Sequence, residues 1–496
     1  SSWLVIVMII HSDPILIASL AIPLIAAIIA SFTGKRVSAT LASASFLPII
    51  AYSLYNIAIG ADYLVPLGAL PRPIGMIYLI NDGLSNAFGF AIALISLTIS
   101  IVSVPYMEHR FKVLGLPEQF NIYFLLFTLC GISMLWIVYA YNLILMYIGI
   151  EVSLIASFLL IYFYGYDGFG KTRQWIGTLY FIYTHIASVL FLVGAIVLAL
   201  YANTMDLYTI KYIPPLAWAL MLIGMLIKLP SFGPHVWLPW AHGMHPTPVA
   251  ALIISVVGLS AYILARLYLV SPYFIVDYRI PILAYAIIGG VLTGLGVFRH
   301  RYHYKWLLAY STVANMAYLL AGLAVGPYGI VGLTLHFIAH QFGKAVLFMT
   351  AGAIIAYYEV TDIDEMGGLQ TYIPSVGAAA LLGWMSLSGI FTVALLGEFY
   401  IFLGLIDTLG FSLNTLWAFV GLAFMFILTG YYGFWALKEV FYGQPRRQYE
   451  KVKVDPRFVV PLYVLGLAAV ILLFPPASTS LISSVLKAIG TVMGHV

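Results

Sequence analysis

Apolar stretches long enough to cross a bilayer follow one another through almost the whole chain, separated by short connections that carry turn and charge signals. Within hydrocarbon, a backbone can satisfy its own polar groups only as a helix or a closed barrel. A spanning helix needs about 20 apolar residues. The pattern predicts an all-α integral membrane protein of about fourteen transmembrane helices, near residues 14–33, 37–59, 82–106, 121–140, 142–164, 175–201, 215–240, 247–270, 280–298, 305–325, 328–357, 374–407, 413–439 and 458–475.

Composition supports this class. Charged residues make up only 8% of the chain and hydrophobic residues 63%, whereas a soluble domain carries about 25% charged residues. The apolar runs are continuous instead of alternating, which argues against a transmembrane β-barrel. The single cysteine, Cys130, excludes an internal disulfide and any thiolate cluster. We therefore expect no redox centre, metal or cofactor in this chain, and no binding of nucleic acid.

The basic residues indicate a topology. Most of the 22 lysine and arginine residues fall in one set of alternate connections between the predicted helices. Cytoplasmic connections are enriched in these residues, so both termini are expected outside the cytoplasm and the loop 438–457 within it. The first apolar segment lacks a basic flank and a cleavage site, and we expect it to be retained. The expected location is the cell membrane of a prokaryote, ahead of an organellar inner membrane.

Three stretches fall outside the predicted spans. Residues 1–11 could form a short or interfacial piece, and residues 477–496 predict a C-terminal amphipathic helix. Between 61 and 80, several prolines among alternating apolar residues indicate an extended loop or hairpin outside the bilayer. The whole chain, 1–496, is expected to form a single transmembrane domain.

The apolar run that ends at Lys228 and meets Pro230 is the segment that most suggests a function. Proline lacks an amide hydrogen and clashes with the preceding turn, so the helix must bend or break beside the lysine. Broken membrane helices occur where they line a cavity, because the freed carbonyls need partners. Inserting a lysine at the centre of a membrane helix costs about 2.5 to 3.5 kcal/mol, so a lysine found there is a candidate functional residue. The alternative is a lysine near a helix end that extends its charge to the interface.

Other titratable side chains also stand within apolar segments. His336, His340 and Lys344 recur every four residues, so they share one helix face. Imidazole donates at one nitrogen and accepts at the other, so such a stripe can hold water and pass protons. A lysine in a low dielectric can load and release a proton, and a nearby glutamate favours its charged form. The pattern predicts a proton-transfer site formed by Glu151, Lys228, His336, His340, Lys344 and Glu398, with His185 among the other buried groups.

Each feature also has a structural interpretation. His336 and His340 have the spacing of a metal pair, but no acidic residue or cysteine accompanies them. Glu151 could form a structural salt bridge with Lys228, which would leave the other buried charges unexplained. Three histidines crowd the end of the broken helix and could ligate metal, although hydrogen bonds to the broken backbone or to water explain them more simply: His235, His242 and His245.

Several motifs resemble one family. The run KLPSFGPHVWLPWAH from Lys228 to His242, followed by Pro246-Thr-Pro248, is similar to the seventh-helix signature of the antiporter-like subunits of respiratory complex I. These subunits are related to Mrp-type cation/proton antiporters and to the membrane arms of energy-converting hydrogenases. The resemblance covers most of residues 80–440, and further blocks agree in order: Asn81-Asp-Gly-Leu-Ser85, Phe181-Ile-Tyr-Thr184, Tyr304-Lys-Trp-Leu-Leu-Ala-Tyr-Ser311, His336-Phe-Ile-Ala-His-Gln-Phe-Gly-Lys344 and Met366-Gly-Gly-Leu369.

Leu396-Gly-Glu-Phe-Tyr400 resembles the M-type subunit, the counterpart of the fourth mitochondrially encoded subunit, which has glutamate in the twelfth helix. The resemblance implies fourteen helices with two inverted five-helix repeats, here about 121–270 and 280–439. Each repeat would contain one broken helix, the seventh near Pro230 and the twelfth near Gly389.

The same resemblance implies a role for each site residue. Glu151 and Lys228 look like the coupled pair of the first half-channel. The stripe of His336, His340 and Lys344 would be the central hydrated relay. Glu398 would be the terminal exchange site.

The implied function is proton translocation in a complex I-like or group 4 hydrogenase-like redox-driven ion pump. Other membrane subunits of that complex would be the partners and would carry the electrons, and the transported ion would be the proton or Na⁺. The alternatives are an Mrp-type Na⁺/H⁺ antiporter subunit and a non-conducting scaffold.

The sequence departs from the family pattern in three places. Residues 249–265 contain no ionisable group except Tyr262, where the family usually has a lysine or histidine, so water or Tyr262 would have to bridge there. Ile390-Phe391 replaces a frequent proline pair, and Trp240 replaces a usual acidic residue.

Overall fold

The computed structural model describes residues 8–494, so residues 1–7 of the predicted interfacial piece and residues 495 and 496 lie outside it. Helices dominate this range. They are α1 (Pro14–Ala30), α2 (Lys35–Ala44), α3 (Leu47–Ile59), α4 (Gly83–Leu114), α5 (Phe120–Tyr139), α6 (Leu143–Tyr164), α7 (Arg173–Ala202), α8 (Pro215–Lys228), α9 (Trp237–Met244), α10 (Thr247–Val270), α11 (Tyr273–Asp277), α12 (Arg279–Gly296), α13 (Tyr304–Ala324), α14 (Gly326–Tyr358), α15 (Pro374–Ser388), α16 (Val393–Leu409), α17 (Leu416–Phe441), α18 (Pro456–Ile471) and α19 (Ala477–Gly494).

Eleven helical segments in residues 8–494 are long and apolar enough to cross a membrane, and α1, α8 and α18 are shorter apolar helices. The prediction of a helical, multi-pass integral membrane protein is confirmed. One predicted helix, 37–59, is divided into α2 and α3. Pro48 explains the division, because it has no amide hydrogen to donate to the carbonyl of Ala44.

A small sheet occupies the stretch predicted as a loop or hairpin. Strands β2 (Tyr63–Leu70) and β3 (Gly75–Asn81) pair antiparallel, and the two-residue strand β1 (Ile9–Ile10) pairs parallel with β2. The register shifts between Pro66 and Gly68, where proline cannot donate to the ladder. The hairpin prediction is therefore confirmed.

Helices α10, α13 and α14 are buried along nearly their whole length. Helix α14 carries titratable side chains, and such groups within a membrane segment almost always face the protein interior. Glycines allow α14 to approach its neighbours at backbone distance. A Cβ placed on Gly332 would lie 2.8 Å from the carbonyl oxygen of Gly397 in α16, and one on Gly343 would lie 2.8 Å from that of Gly383 in α15. The titratable stripe of α14 is thereby held in the interior.

Two of the apolar segments are interrupted where the sequence predicts a break. The first interruption follows Lys228 and separates α8 from α9. The second lies between α15 and α16, where Gly389 adopts a left-handed conformation with φ of 70°. That conformation favours glycine because it has no Cβ.

The last described helix, α19, packs against the start of α4. A Cβ on Gly83 would lie 2.1 Å from the backbone of Ser484, so only glycine permits this contact. Lys487 Nζ donates to the carbonyl of Gly60 at 2.6 Å, and the Thr491 hydroxyl donates to Asp62. Burial raises the pKa of Asp62 to about 6, and the nearby negative charge of Asp82 contributes to this rise.

Candidate functional site

Lys228 is the last residue of α8 and stands at the first break. New donors satisfy the carbonyls that the break leaves free: Ser231 Oγ donates to Leu226 O at 2.6 Å, and Trp237 Nε1 donates to Ile227 O at 3.0 Å. The Lys228 side chain is only 3% exposed, and its Nζ has no hydrogen-bond partner within residues 8–494. The break is therefore closed by its neighbours, while the ammonium is left without a fixed protein acceptor.

Glu151, on α6, has a different direct partner from the one considered in the sequence. Its Oε2 lies 3.1 Å from Nδ1 of His185 on α7, and the two side chains are 18% and 41% exposed. Glu151 also lies within electrostatic range of Lys228, as does Cys130. The site thus begins as a carboxylate and imidazole pair at the protein surface, with the buried lysine behind it.

The α14 stripe lies at the centre of the molecule, and its three members are fully buried. Lys344 Nζ donates to Leu308 O at 2.5 Å and also to the Ser311 hydroxyl. The rings of His336 and His340 stack with centroids 6.1 Å apart. Among the described residues, none of their ring nitrogens has a hydrogen-bond partner. The lysine is anchored, whereas both imidazoles keep free donor and acceptor positions.

His242, on α9, is a further buried titratable side chain beside the α14 stripe. It lies within electrostatic range of Lys344, His340 and Lys305. The residue is fully buried, and neither of its ring nitrogens has a partner in the described part of the chain. The sequence predicts only a local role for His242 at the broken helix, but the structure places it beside the α14 stripe.

Tyr262 is not available as the bridge across α10. Its hydroxyl donates to Val138 O and accepts from Arg266 Nε at 2.9 Å. Arg266 also donates to both carboxylate oxygens of Asp82 at 2.7 Å. Tyr262 is therefore held within a buried ion-pair network, which leaves water as the bridge that the sequence also predicts.

Glu398 lies on α16 beside the second break. A Cβ on Gly389 would lie 2.6 Å from Glu398 Oε1, so the glycine makes room for the carboxylate. Glu398 is half-buried, and the neighbouring Leu395 and Phe399 are 46% and 57% exposed. Tyr318 of α13 lies within electrostatic range of Glu398. This end of the site, like Glu151, reaches toward the protein surface.

Three further buried cations lie at or near the ends of predicted helices, where the sequence indicates only a topology signal: Arg110, Arg266 and Lys305. Lys305 is 1% exposed and donates to the carbonyl of His245 at 2.7 Å. Arg110 is 4% exposed and donates to carbonyls at the end of α6. Their position at predicted helix ends hid their burial. All three have fixed protein partners, which indicates structural roles.

No group of three or more histidine, cysteine or carboxylate side chains among residues 8–494 could hold a metal ion. The described residues therefore offer no third ligand for a metal ion held by His336 and His340. The donor set of the site consists of lysines, imidazoles and separated carboxylates, which suits proton transfer better than metal binding.

The fold defines a polytopic membrane protein with titratable side chains buried in its interior. The family model described as "NADH:quinone oxidoreductase/Mrp antiporter, TM" matches residues 140–429. The chain is 30% identical over 383 residues to the NAD(P)H-quinone oxidoreductase chain 4 1 of a Synechococcus species, covering 73% of this chain and 68% of that protein. The chain therefore belongs to the NADH:quinone oxidoreductase/Mrp antiporter transmembrane family, as its motifs predicted.

Further similarities support this assignment. A putative antiporter subunit mnhA2 of Staphylococcus saprophyticus is 29% identical over 435 residues, which covers 80% of this chain and 52% of that protein. Among solved structures, respiratory complex I from Thermus thermophilus contains a chain with a TM-score of 0.81 and 20% identity, covering 96% of this chain and 99% of that one. The Mrp complex from Dietzia contains one with a TM-score of 0.80 and 19% identity, covering 97% and 99%. These likenesses establish the shared fold.

Proposed function

We propose that this chain is an M-type antiporter-like subunit of a complex I-like or group 4 hydrogenase-like ion pump, and that it translocates protons. The observation that carries the proposal is the buried row of titratable side chains from Lys228 through His242 and His340 to Lys344. Buried polar atoms normally have hydrogen-bond partners. Lys228, His242 and His340 have no hydrogen-bond partner in the described chain, so this region suits a hydrated path.

The proposed cycle begins at Glu151. With the carboxylate near Lys228, its negative charge favours the ammonium form of the lysine. When Glu151 moves away from Lys228 or is neutralised, the buried ammonium loses that support and releases its proton. Redox chemistry in other subunits would drive this change, because no redox group is expected in this chain.

The released proton would next pass to His242, then to His340 and Lys344, and finally to Glu398. Imidazole suits the middle positions because it accepts at one nitrogen while donating at the other. In the described chain, Lys344 donates to a carbonyl and a hydroxyl and to no carboxylate. Its charge is therefore supported only weakly, which favours onward transfer.

The finer architecture belongs to the same proposal. We propose fourteen spans in the cell membrane of a prokaryote, with both termini outside the cytoplasm. The inverted repeats would cover about 121–270 and 280–439, and each would contain one of the two interruptions after Lys228 and Ser388. The partners would be neighbouring membrane subunits, in keeping with relatives and structural neighbours that are named as parts of multisubunit complexes.

The test is Lys228→Ala in the whole native complex, reconstituted in sealed vesicles that report internal pH. Proton movement should be abolished, because the buried lysine is the coupled proton carrier, while the subunit remains assembled with its partners. Lys211→Ala, outside the row, is the control and should transport normally. Full proton movement in an assembled Lys228→Ala complex would refute the proposed role.

A second candidate is an Mrp-type Na⁺/H⁺ antiporter subunit, which the similarity to the Mrp complex supports equally at the level of fold. Dependence of proton movement on Na⁺, with no co-purifying redox subunits, would favour it. A non-conducting scaffold is the third candidate, and normal transport by variants of every residue in the row would favour that one.

A further inference from the structure

We propose that three buried hydroxyls, Tyr318, Thr429 and Tyr432, form the last leg of the proton route from the α14 stripe to Glu398. We call them the hydroxyl relay. The inference rests on the proposed function. It adds a proton path from Lys344 to Glu398 that runs through hydroxyl groups and not through the histidines. Tyr318 lies on α13, and the other two lie on α17.

The relay is continuous at the level of side-chain contacts. The Tyr432 hydroxyl donates to Thr429 Oγ1 at 3.3 Å, and Thr429 Oγ1 is hydrogen-bonded to the Tyr318 hydroxyl. The three residues are exposed by 2% or less. Tyr318 contacts the α14 stripe through its ring, whose centroid lies 4.7 Å from that of His336, and Glu398 lies within electrostatic range of its hydroxyl.

Asn315 connects the relay to the anchored lysine. Its Nδ2 donates to the Tyr432 hydroxyl at 3.0 Å and to Ser311 O at 2.7 Å, and the Ser311 hydroxyl accepts from Lys344. The Asn315 side chain is fully buried, and its Oδ1 has no hydrogen-bond partner in the described chain. An amide does not itself pass a proton readily. The unpaired oxygen instead gives a water molecule an acceptor between Lys344 and Tyr432.

Proton transfer along the relay conserves every hydroxyl. A proton from Lys344 reaches the Tyr432 oxygen through water, and Tyr432 releases its own hydroxyl proton to Thr429. Thr429 passes its proton to Tyr318, and Tyr318 passes its proton to the Glu398 carboxylate. The hydroxyls then rotate back, which is possible because each is both donor and acceptor.

The competing interpretation is purely structural. The Tyr318 hydroxyl also donates to Met425 O at 2.6 Å, so these bonds fasten α13 to α17. Phenylalanine at position 318 would keep the stacking against Phe426, whose ring centroid is 4.8 Å away, and the edge contact with His336. Changes that remove only the hydroxyl therefore separate proton transfer from packing.

The experiment measures proton movement by the native complex in sealed vesicles, with an internal pH-sensitive dye, for four variants. Tyr318→Phe and Thr429→Val remove one hydroxyl each with little change in shape. Both should lower the rate by about tenfold or more, since a positioned proton-transfer group contributes at least that much. Thr429→Ser keeps the hydroxyl and should retain most of the rate. Tyr123→Phe removes a buried hydroxyl bonded to Ser103 at 2.8 Å, outside the relay, and should transport normally.

The outcomes separate the two proposals. Normal rates in Tyr318→Phe and Thr429→Val overturn the relay. Equal loss in Thr429→Ser and Thr429→Val, or loss of assembly in both, also overturns it, because packing then explains the effect. Lys228→Ala is measured in the same experiment. If Lys228→Ala loses transport while Tyr318→Phe transports at the normal rate, the proposed function is retained and the relay is rejected. Normal transport by Lys228→Ala contradicts the proposed function itself.

Discussion

Lys228 and Lys344 are both buried lysines in apolar segments, but the chain holds them in opposite ways. Lys228 ends a broken helix, has no hydrogen-bond partner in the described chain and lies within range of Glu151. Lys344 stands within the continuous helix α14 and is fixed by Leu308 O and the Ser311 hydroxyl. The first arrangement suits a lysine whose charge is controlled by a moving carboxylate. The second suits a relay at a fixed position.

The largest expected effect is the loss of proton movement on charge-conserving substitution, and the two settings differ in what else is lost. Lys228→Arg and Lys344→Arg should both lose proton movement, because a guanidinium does not release its proton. Only Lys344→Arg should also lower the thermal stability of the assembled complex, because a planar guanidinium cannot replace a compact ammonium between two placed acceptors. Vesicle proton movement, normalised to the amount of assembled complex, and thermal unfolding are the measurements. Equal thermal stability of the two variants would break the comparison.

A smaller effect is expected at the surface end of the first site. Glu151→Gln removes the charge that supports the Lys228 ammonium and should lower transport by on the order of tenfold, since a modest shift of one pKa unit has that effect. His185→Gln should lower it by about fivefold or less, because a partly exposed pair contributes about 1 kcal/mol or less. A larger loss in His185→Gln than in Glu151→Gln would contradict the assignment of Glu151 as the controlling group.

The second break can be tested with matched glycines. Gly389 and Gly115 have φ of 70° and 66°, but a Cβ on Gly389 would meet Glu398, whereas one on Gly115 would meet nothing within 4 Å. Alanine at either site should cost about 1 to 2 kcal/mol of backbone strain. Only Gly389→Ala should also reduce transport, by displacing the carboxylate. Equal transport in the two variants, at similar thermal stability, would show that Glu398 does not depend on the break.

The smallest effect concerns a site outside the membrane. The pKa of Asp62 is raised from 3.8 to about 6 by burial and by the charge of Asp82. A raised carboxyl pKa favours the protonated form in the folded state. The contribution of Asp62 to the free energy of unfolding is therefore complete below pH 3.8 and is lost as the pH rises through about 6. The protection factors of the α19 amides, which correct hydrogen exchange for its intrinsic pH dependence, should therefore fall from pH 4 to pH 7. Asp62→Asn should remove this fall, and Lys487→Met should keep it.

Much of the fold follows from local signals in the sequence. Pro230 predicted the first break because its chemistry forbids a continuous helix, and the spacing of His336, His340 and Lys344 predicted a shared face that the structure retains. The division of α2 from α3 was missed because hydropathy is uniform across Pro48. The roles of the six predicted site residues stay predictions.

The rest depends on which helices meet, and a single sequence does not reveal that. His242 was interpreted locally because nothing in its own segment indicates its proximity to Lys344. Lys305 stands at the start of a predicted span, and the sequence does not show whether a neighbouring helix covers that end. Tyr318 and Tyr432 belong to a chain with 36 tyrosines, so hydroxyls that become significant only when α13 meets α17 do not stand out.

A map of the native complex at a resolution that shows ordered water tests the central claim most directly. Waters bonded to the free ring nitrogens of His242 and His340 are expected, and they would connect Lys228 to Lys344. Such a chain would place every buried donor and acceptor of the row within reach of a proton. A dry, apolar gap between Lys228 and Lys344 would contradict a continuous proton route.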